Sequence, residues 1–111
     1  MKSIFEQIIS GEVFVDKVFE NTFLIVIKDR FPQAPTHLLI IPKKHYRSLQ
    51  EVPQEELTIL AEVGAAAQKL AKEFNLEEGY RLVVNNGQKA GQTVWHLHFH
   101  LIGGKELDSM V

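Results

Sequence analysis

Ile4, Phe5, Ile8 and Ile9 recur at helical spacing in residues 3–10, and Gly11 follows as a stop signal, so a short amphipathic helix opens the chain. The pattern then changes period. Val13 to Phe19 alternates like a strand, Asn21 marks a turn, and Thr22 to Ile27 forms a second strand rich in β-branched and aromatic residues. A proline-fixed loop, Asp29 to Pro35, leads into a third strand from His37 to Ile41 that is apolar on nearly every position, as expected of a strand covered on both faces. From Pro53, with Glu55 and Glu56 at the positive end, Leu57, Leu60, Ala61, Gly64, Ala67, Ala71 and Phe74 recur every three or four residues. This predicts one long helix of roughly 20 residues, about 30 Å. Its small residues at 61 and 64–67 suit close approach of another backbone. Tyr80 to Val84 is a fourth strand, Asn85 to Gly91 a polar loop, and Val94 to Ile102 a fifth strand ended by Gly103-Gly104. Strands in adjacent runs with one long helix inserted predict a single α+β domain over 1–111 with an antiparallel sheet.

Composition narrows the function classes. A formal net charge of −2 gives no basic excess for nucleic acid or a membrane surface. The absence of cysteine excludes disulfides, thiolate zinc sites and a cysteine nucleophile, and fits a reducing compartment. The first residues, from Met1, lack the apolar run of a signal peptide, and no stretch approaches the ~20 apolar residues of a membrane span. A cytoplasmic location is the expectation.

Three of the five histidines lie in His96-Leu97-His98-Phe99-His100. On extended backbone all three imidazoles project to one side, while Leu97, Phe99 and Leu101 project to the other. Spacing alone leaves two chemistries open. One is a metal site, because neutral imidazole is a good zinc ligand, although no acidic residue lies nearby in sequence to orient the rings. The other is phosphoryl transfer, in which a neutral imidazole escapes the repulsion an anionic nucleophile meets at a phosphate. Asn85-Asn86-Gly87 and Gly91-Gln92-Thr93 favour the second by offering amide and hydroxyl donors around a tight turn.

Pro32-Gln33-Ala34-Pro35-Thr36-His37, Ile41-Pro42-Lys43-Lys44-His45, Gly79 to Asn85 and His96 to Gly104 together resemble the histidine-triad superfamily, and within it the Hint branch of nucleoside phosphoramidases. The likeness runs from about Ile4 to Gly104. It implies a five-stranded antiparallel sheet and a homodimer in which the long helix and the Tyr80–Val84 strand meet their symmetry mates. It implies that His98 is the nucleophile and forms a nucleotidyl-histidine, with its other ring nitrogen held by the His96 carbonyl. His100 and His37 match the histidines beside the phosphate, which with His96 and His98 complete the catalytic set. Thr93 stands where the family often has serine, and Asn85 matches the asparagine of the phosphate region. Gly91, Thr93 and Val94 belong to the substrate-binding loop. Asp29 matches the ribose-binding acid, and Ile4, Phe5, Ile8, Ile27 and Leu39 would line a slot for the purine of an AMP- or GMP-type substrate.

The chain departs from that family in three places. Arg30 replaces a usual aliphatic residue, and the tail Glu106 to Val111 replaces a tryptophan-proline segment. Many relatives hold a structural zinc through paired cysteines where this chain has Ser3 and Glu6, so no such zinc, and no metal or other cofactor, is expected. His45 is expected to be a solvated surface residue. Alternative functions are cleavage of dinucleoside polyphosphates, nucleotide binding for partner regulation, and metal-dependent hydrolysis.

Overall fold

The computed structural model describes residues 2–110. Met1, part of the segment read for a leader, and Val111, the end of the divergent tail, lie outside the described residues. The architecture is α+β, as the pattern predicts. Helix α1 (Ile4–Ser10) is followed by strands β1 (Phe19–Glu20), β2 (Leu24–Lys28) and β3 (Thr36–Pro42), helix α2 (Ile59–Glu73), and strands β4 (Tyr80–Val83) and β5 (Phe99–Gly103). The five strands form one antiparallel sheet in the order β1-β2-β3-β5-β4.

Alternation along the strands sorts the core onto two faces. Leu24, Val26, Leu38, Ile40, Phe99 and Leu101 face α2, which inserts Val63, Ala66, Ala67 and Leu70. Ile25, Ile27, Leu39 and Ile41 face the other way and are covered by Phe5 and Ile8 of α1. Helix α1 is short, but both ends are satisfied. The Ser3 hydroxyl accepts from the Glu6 N–H at 3.1 Å and the Glu6 carboxylate accepts from the Ser3 N–H at 2.9 Å, a reciprocal capping box. Gly11 ends the helix in the left-handed conformation at φ 85°.

Several predicted boundaries move for identifiable reasons. The expected strand Val13–Phe19 shrinks to β1 because its partner runs out. Phe19 pairs with Val26 and Glu20 with Ile25, a register that would set Lys17 opposite Lys28, the last residue of β2, so the residues before Lys17 would lie beyond its end. The long helix keeps its extent but not its type throughout. Pro53 opens a 3₁₀ turn at Gln54–Glu56, and regular α-helix begins only at Ile59.

The fifth strand was expected from Val94 but starts at Phe99. The β3–β5 register places Ile40 opposite Phe99, which continued would set Leu97 opposite Pro42. Proline has no N–H to give, and the Pro42 carbonyl instead accepts from the His96 ring at 2.7 Å. The ladder stops there, and the Leu97 N–H turns to the Tyr46 carbonyl at 2.7 Å. Within the divergent tail, the Arg81 guanidinium holds the Asp108 carbonyl.

Candidate active site

His98 and His100 lie on the α1 side of the sheet, as alternation requires, and Leu97, Phe99 and Leu101 are buried on the α2 side. The His98 and His100 ring centroids are 5.2 Å apart, and Phe5 stands edge-on to His98 at 4.9 Å. His96 is fully buried, also on the Phe5 side, at a centroid distance of 6.0 Å.

The hydrogen bonds assign the tautomers. His98 Nδ1 lies 2.7 Å from the His96 carbonyl, an acceptor only, so Nδ1 carries the proton and Nε2 carries a free lone pair. A second chain starts in the proline loop. The Gln33 N–H donates to His37 Nδ1 at 3.0 Å, so the His37 proton sits on Nε2. That nitrogen is 2.9 Å from His100 Nδ1 and donates to it, which leaves the His100 proton on its own Nε2. Asp29 Oδ2 lies 3.3 Å from His37 Nε2 and 3.9 Å from His100 Nδ1. The Asp29 Oδ1 accepts from the Phe31 N–H at 2.8 Å. The site therefore presents a bare imidazole nitrogen on His98 beside an imidazole N–H on His100.

Burial disfavours the charged form of the three triad rings, His96, His98 and His100. It pushes His98 below the usual histidine range, against the hydrogen bond to the His96 carbonyl, which works the other way. His96 is lowered by the same cause. His100 falls to about 4, through burial first and then the neighbouring His98 and His37.

One expectation for the loop after β4 is corrected. Gln92 is not a free donor. Asn86 Oδ1 accepts from the Leu49 N–H at 2.9 Å, which leaves its amide N–H groups to donate. Gln92 is 3% exposed, and its amide is fully engaged. Its Oε1 accepts from the Gly87 N–H at 2.8 Å, while Nε2 donates to the Arg47 carbonyl at 2.7 Å and the Val94 carbonyl at 3.1 Å. These bonds shape the loop, and Gly91 supplies the left-handed turn at φ 90° before it. Further available donors are on the main chain. Among the described residues the N–H groups of Thr93, Val94 and Trp95 have no partner, and the Thr93 side chain is exposed. Asn85 is half-buried, with no hydrogen bond from its side chain among the described residues.

Of the residues expected along an apolar slot, Phe5, Ile8, Ile27 and Leu39 form one cluster beneath α1, with Val94 packed against it. Ile4 is half-exposed and lies apart, lining a cleft with Glu6, His45, Thr93 and Trp95. Sequence reasoning assigned no role to His45. It is exposed, but its Nε2 donates to the Trp95 carbonyl at 2.8 Å and its ring is 5.0 Å from that of His96. Nothing in local spacing signals this neighbour, because it arises from the crossing of the β3 exit with the histidine segment.

Two groups of side chains have the composition to hold a cation: Asp29, His37 and His100, and Glu6, His45 and His96. In the first, both ring nitrogens of His37 and the Nδ1 of His100 are already hydrogen-bonded. At Ser3 and Glu6 there are no thiolates, and the two side chains cap α1.

Comparisons with known proteins place the chain and its fold in a family. An uncharacterized HIT-like protein of Chlamydia trachomatis is 56% identical over 110 residues, 99% of each chain. The crystal structure of a HIT family hydrolase from Legionella pneumophila superposes with a TM-score of 0.92 at 42% identity, covering 96% of both chains. A histidine triad nucleotide-binding protein from Candida albicans superposes with a TM-score of 0.84 at 37% identity, covering 95% of this chain and 76% of that one. The HIT domain matches residues 10–107, nearly the whole chain, and with these relatives it shows that the protein belongs to the HIT domain family.

Proposed function

We propose that the protein is a nucleotide hydrolase of the Hint type that cleaves the phosphorus–nitrogen bond of purine nucleoside 5′-phosphoramidates, and of related aminoacyl adenylates at the corresponding P–O bond. The observation that carries this reading is the His98 ring: Nδ1–H is held by the His96 carbonyl at 2.7 Å, and Nε2 keeps its lone pair. Binding alone does not require a bare, neutral nucleophile held in one tautomer.

In the reaction, the His98 Nε2 lone pair attacks the α-phosphorus and the P–N bond breaks. The amine leaves with a proton passed from solvent through the Thr93 hydroxyl. Water then attacks the phosphorus of the nucleotidyl-histidine, the P–Nε2 bond breaks, the nucleotide departs and the water proton goes to solvent. The N–H groups of Thr93 to Trp95 and the His100 Nε2–H hold the phosphate oxygens, with Asn85 at the rim of the same loop. Each such donor contributes about 3 kcal/mol in a water-poor site. His37 does not touch phosphorus in this scheme; it fixes which His100 nitrogen bears the proton. Asp29 retains lone pairs for the ribose hydroxyls, and the cluster under α1 forms the apolar floor for the base.

A homodimer fits the exposed surface. Strand β4 is an open sheet edge carrying exposed Tyr80 and Leu82, and Tyr80 shares a shallow cleft with Ala65 of α2. No helix of the described residues is long and apolar enough to cross a membrane, and the cysteine-free chain suits the cytoplasm.

The test is His98→Ala with an adenosine 5′-phosphoramidate. We expect kcat/KM to fall roughly a thousandfold or more, and a rapidly quenched wild-type reaction to carry a nucleotidyl adduct within residues 96–100. Near-normal turnover by the variant would end the nucleophile assignment. Comparing kcat/KM for the phosphoramidate and a dinucleoside polyphosphate tests the bond specificity.

A further inference from the structure

The cleft beside α1 opens next to the segment, Thr93 to Trp95, on whose N–H groups the proposed reaction places the phosphate. It has a volume of about 510 Å³, and Lys2, Glu6, Arg47, Thr93 and Trp95 are among its lining residues. In the reaction above, the amine leaves on the Thr93 side, and Arg47 has no part.

Three consecutive residues after the exit of β3 fix Arg47 against that segment. His45 Nε2 donates to the Trp95 carbonyl at 2.8 Å, the Tyr46 carbonyl accepts from the Leu97 N–H at 2.7 Å, and the Arg47 carbonyl accepts from Gln92 Nε2 at 2.7 Å. The Arg47 guanidinium carbon lies 4.4 Å from the centroid of the Trp95 ring. A guanidinium stacked on an indole gains a cation–π attraction and keeps its N–H edge free for a planar anion.

The other charges of the cleft have partners. Lys2 is paired with Glu12, and the Glu6 carboxylate accepts from the Ser3 N–H at 2.9 Å as part of the helix cap. Arg47 is exposed, and among the described residues its guanidinium has no ion pair and no hydrogen bond. An arginine fork meets a carboxylate through two parallel N–H···O bonds, a match of shape as well as charge. An amino acid joined to phosphorus through its nitrogen keeps such a carboxylate, whereas a simple amine offers Arg47 nothing.

On the reaction proposed above, on which this assignment rests, we infer that Arg47, stacked on Trp95, forms a leaving-group subsite that selects phosphoramidates whose departing amine is anionic and bears a free carboxylate. The protein carries a net charge of −2, so added negative charge on a ligand weakens binding unless a specific cation receives it. A preference for the more anionic ligand is therefore diagnostic.

The experiment reads affinity apart from chemistry. Full-length His98→Ala protein is titrated with the adenosine 5′-phosphoramidate of aspartate and with the near-isosteric diamide, in which both carboxylates become neutral amides. Trp95 is the sole tryptophan, so its fluorescence reports the subsite directly. The acid should bind roughly tenfold tighter than the diamide and change the Trp95 emission more. Adding Arg47→Met, which keeps an apolar stem over the indole, should bring the two affinities to within about threefold of each other. With His98 restored, Arg47→Met should lower kcat/KM for the acid roughly tenfold more than for the diamide. Equal affinity of the Arg47-containing protein for the two compounds overturns the inference and leaves the reaction standing. An equal loss for both compounds in Arg47→Met, which a merely structural role would give, overturns it as well. So does a larger Arg47 dependence for ATP, whose leaving group is pyrophosphate, since that assigns the guanidinium to phosphate. Failure to bind either compound overturns the subsite together with the nucleotide site. Wild-type protein that binds the acid with the expected preference but leaves its P–N bond intact refutes the reaction, while the contact with Arg47 stands.

Discussion

Replacing Gln92 by methionine should destabilise the protein by about 3 kcal/mol and slow its chemistry, although Gln92 touches no substrate in the proposed reaction. Methionine has nearly the same shape, so the change isolates the hydrogen bonds from packing. Three backbone groups lose their partner: the Gly87 N–H at 2.8 Å, the Arg47 carbonyl at 2.7 Å and the Val94 carbonyl at 3.1 Å. A buried polar group left unpaired costs about 1–3 kcal/mol, and the low end applies to a loop that water can partly reach. Three groups at that value sum to about 3 kcal/mol. With a urea dependence of about 1.5 kcal/mol per molar, the unfolding midpoint should drop by about 2 M. The same bonds position the segment that exposes the unpaired N–H groups of Thr93 to Trp95, so kcat should fall while His98 keeps its tautomer. A midpoint within about 0.3 M of wild type would show that the amide is not the anchor of this loop.

Two further outcomes follow from the structure. His100 has its pKa lowered from 6.5 to about 4, so below neutrality the unfolded chain binds more protons than the native one. Its contribution, about 3 kcal/mol, is complete above pH 6.5 and is lost as pH falls toward 4; urea unfolding of His100→Gln should show a shallower acid loss, and equal slopes for both proteins would refute the assignment. Leu82 is 42% exposed on the open edge strand, and Leu82→Glu should convert a sedimenting dimer to a monomer, whereas a monomeric wild type would sink the dimer.

Much of the fold was legible because it depends on local periodicity. The apolar run in β3 announced burial on both faces, and the spacing from Leu57 to Phe74 announced one long helix. Alternation placed Leu97, Phe99 and Leu101 in the core and the histidines opposite them. Strand ends were less legible, because a strand extends only as far as its partner can pair. Val13 to Val18 alternates well enough, yet β2 ends at Lys28 and leaves most of that run without a neighbour. His96 and His98 likewise lie outside β5, because a proline one strand away has no N–H to continue the ladder.

The sequence by itself determined the two hydrophobic faces, the side on which the three imidazoles stand, and the absence of thiolate ligands. Those properties follow from side-chain alternation and residue identity, which need no knowledge of distant neighbours. For His37, His96 and His100, only the tertiary structure decided what each ring nitrogen does. The Pro42 carbonyl meets His96, the Gln33 N–H reaches His37 and His37 reaches His100. A proton's place on an imidazole depends on hydrogen-bond geometry at about 3 Å, and the His96–Pro42 and His37–His100 contacts, along with the meeting of Glu6, His45 and His96, join segments that the chain itself keeps far apart.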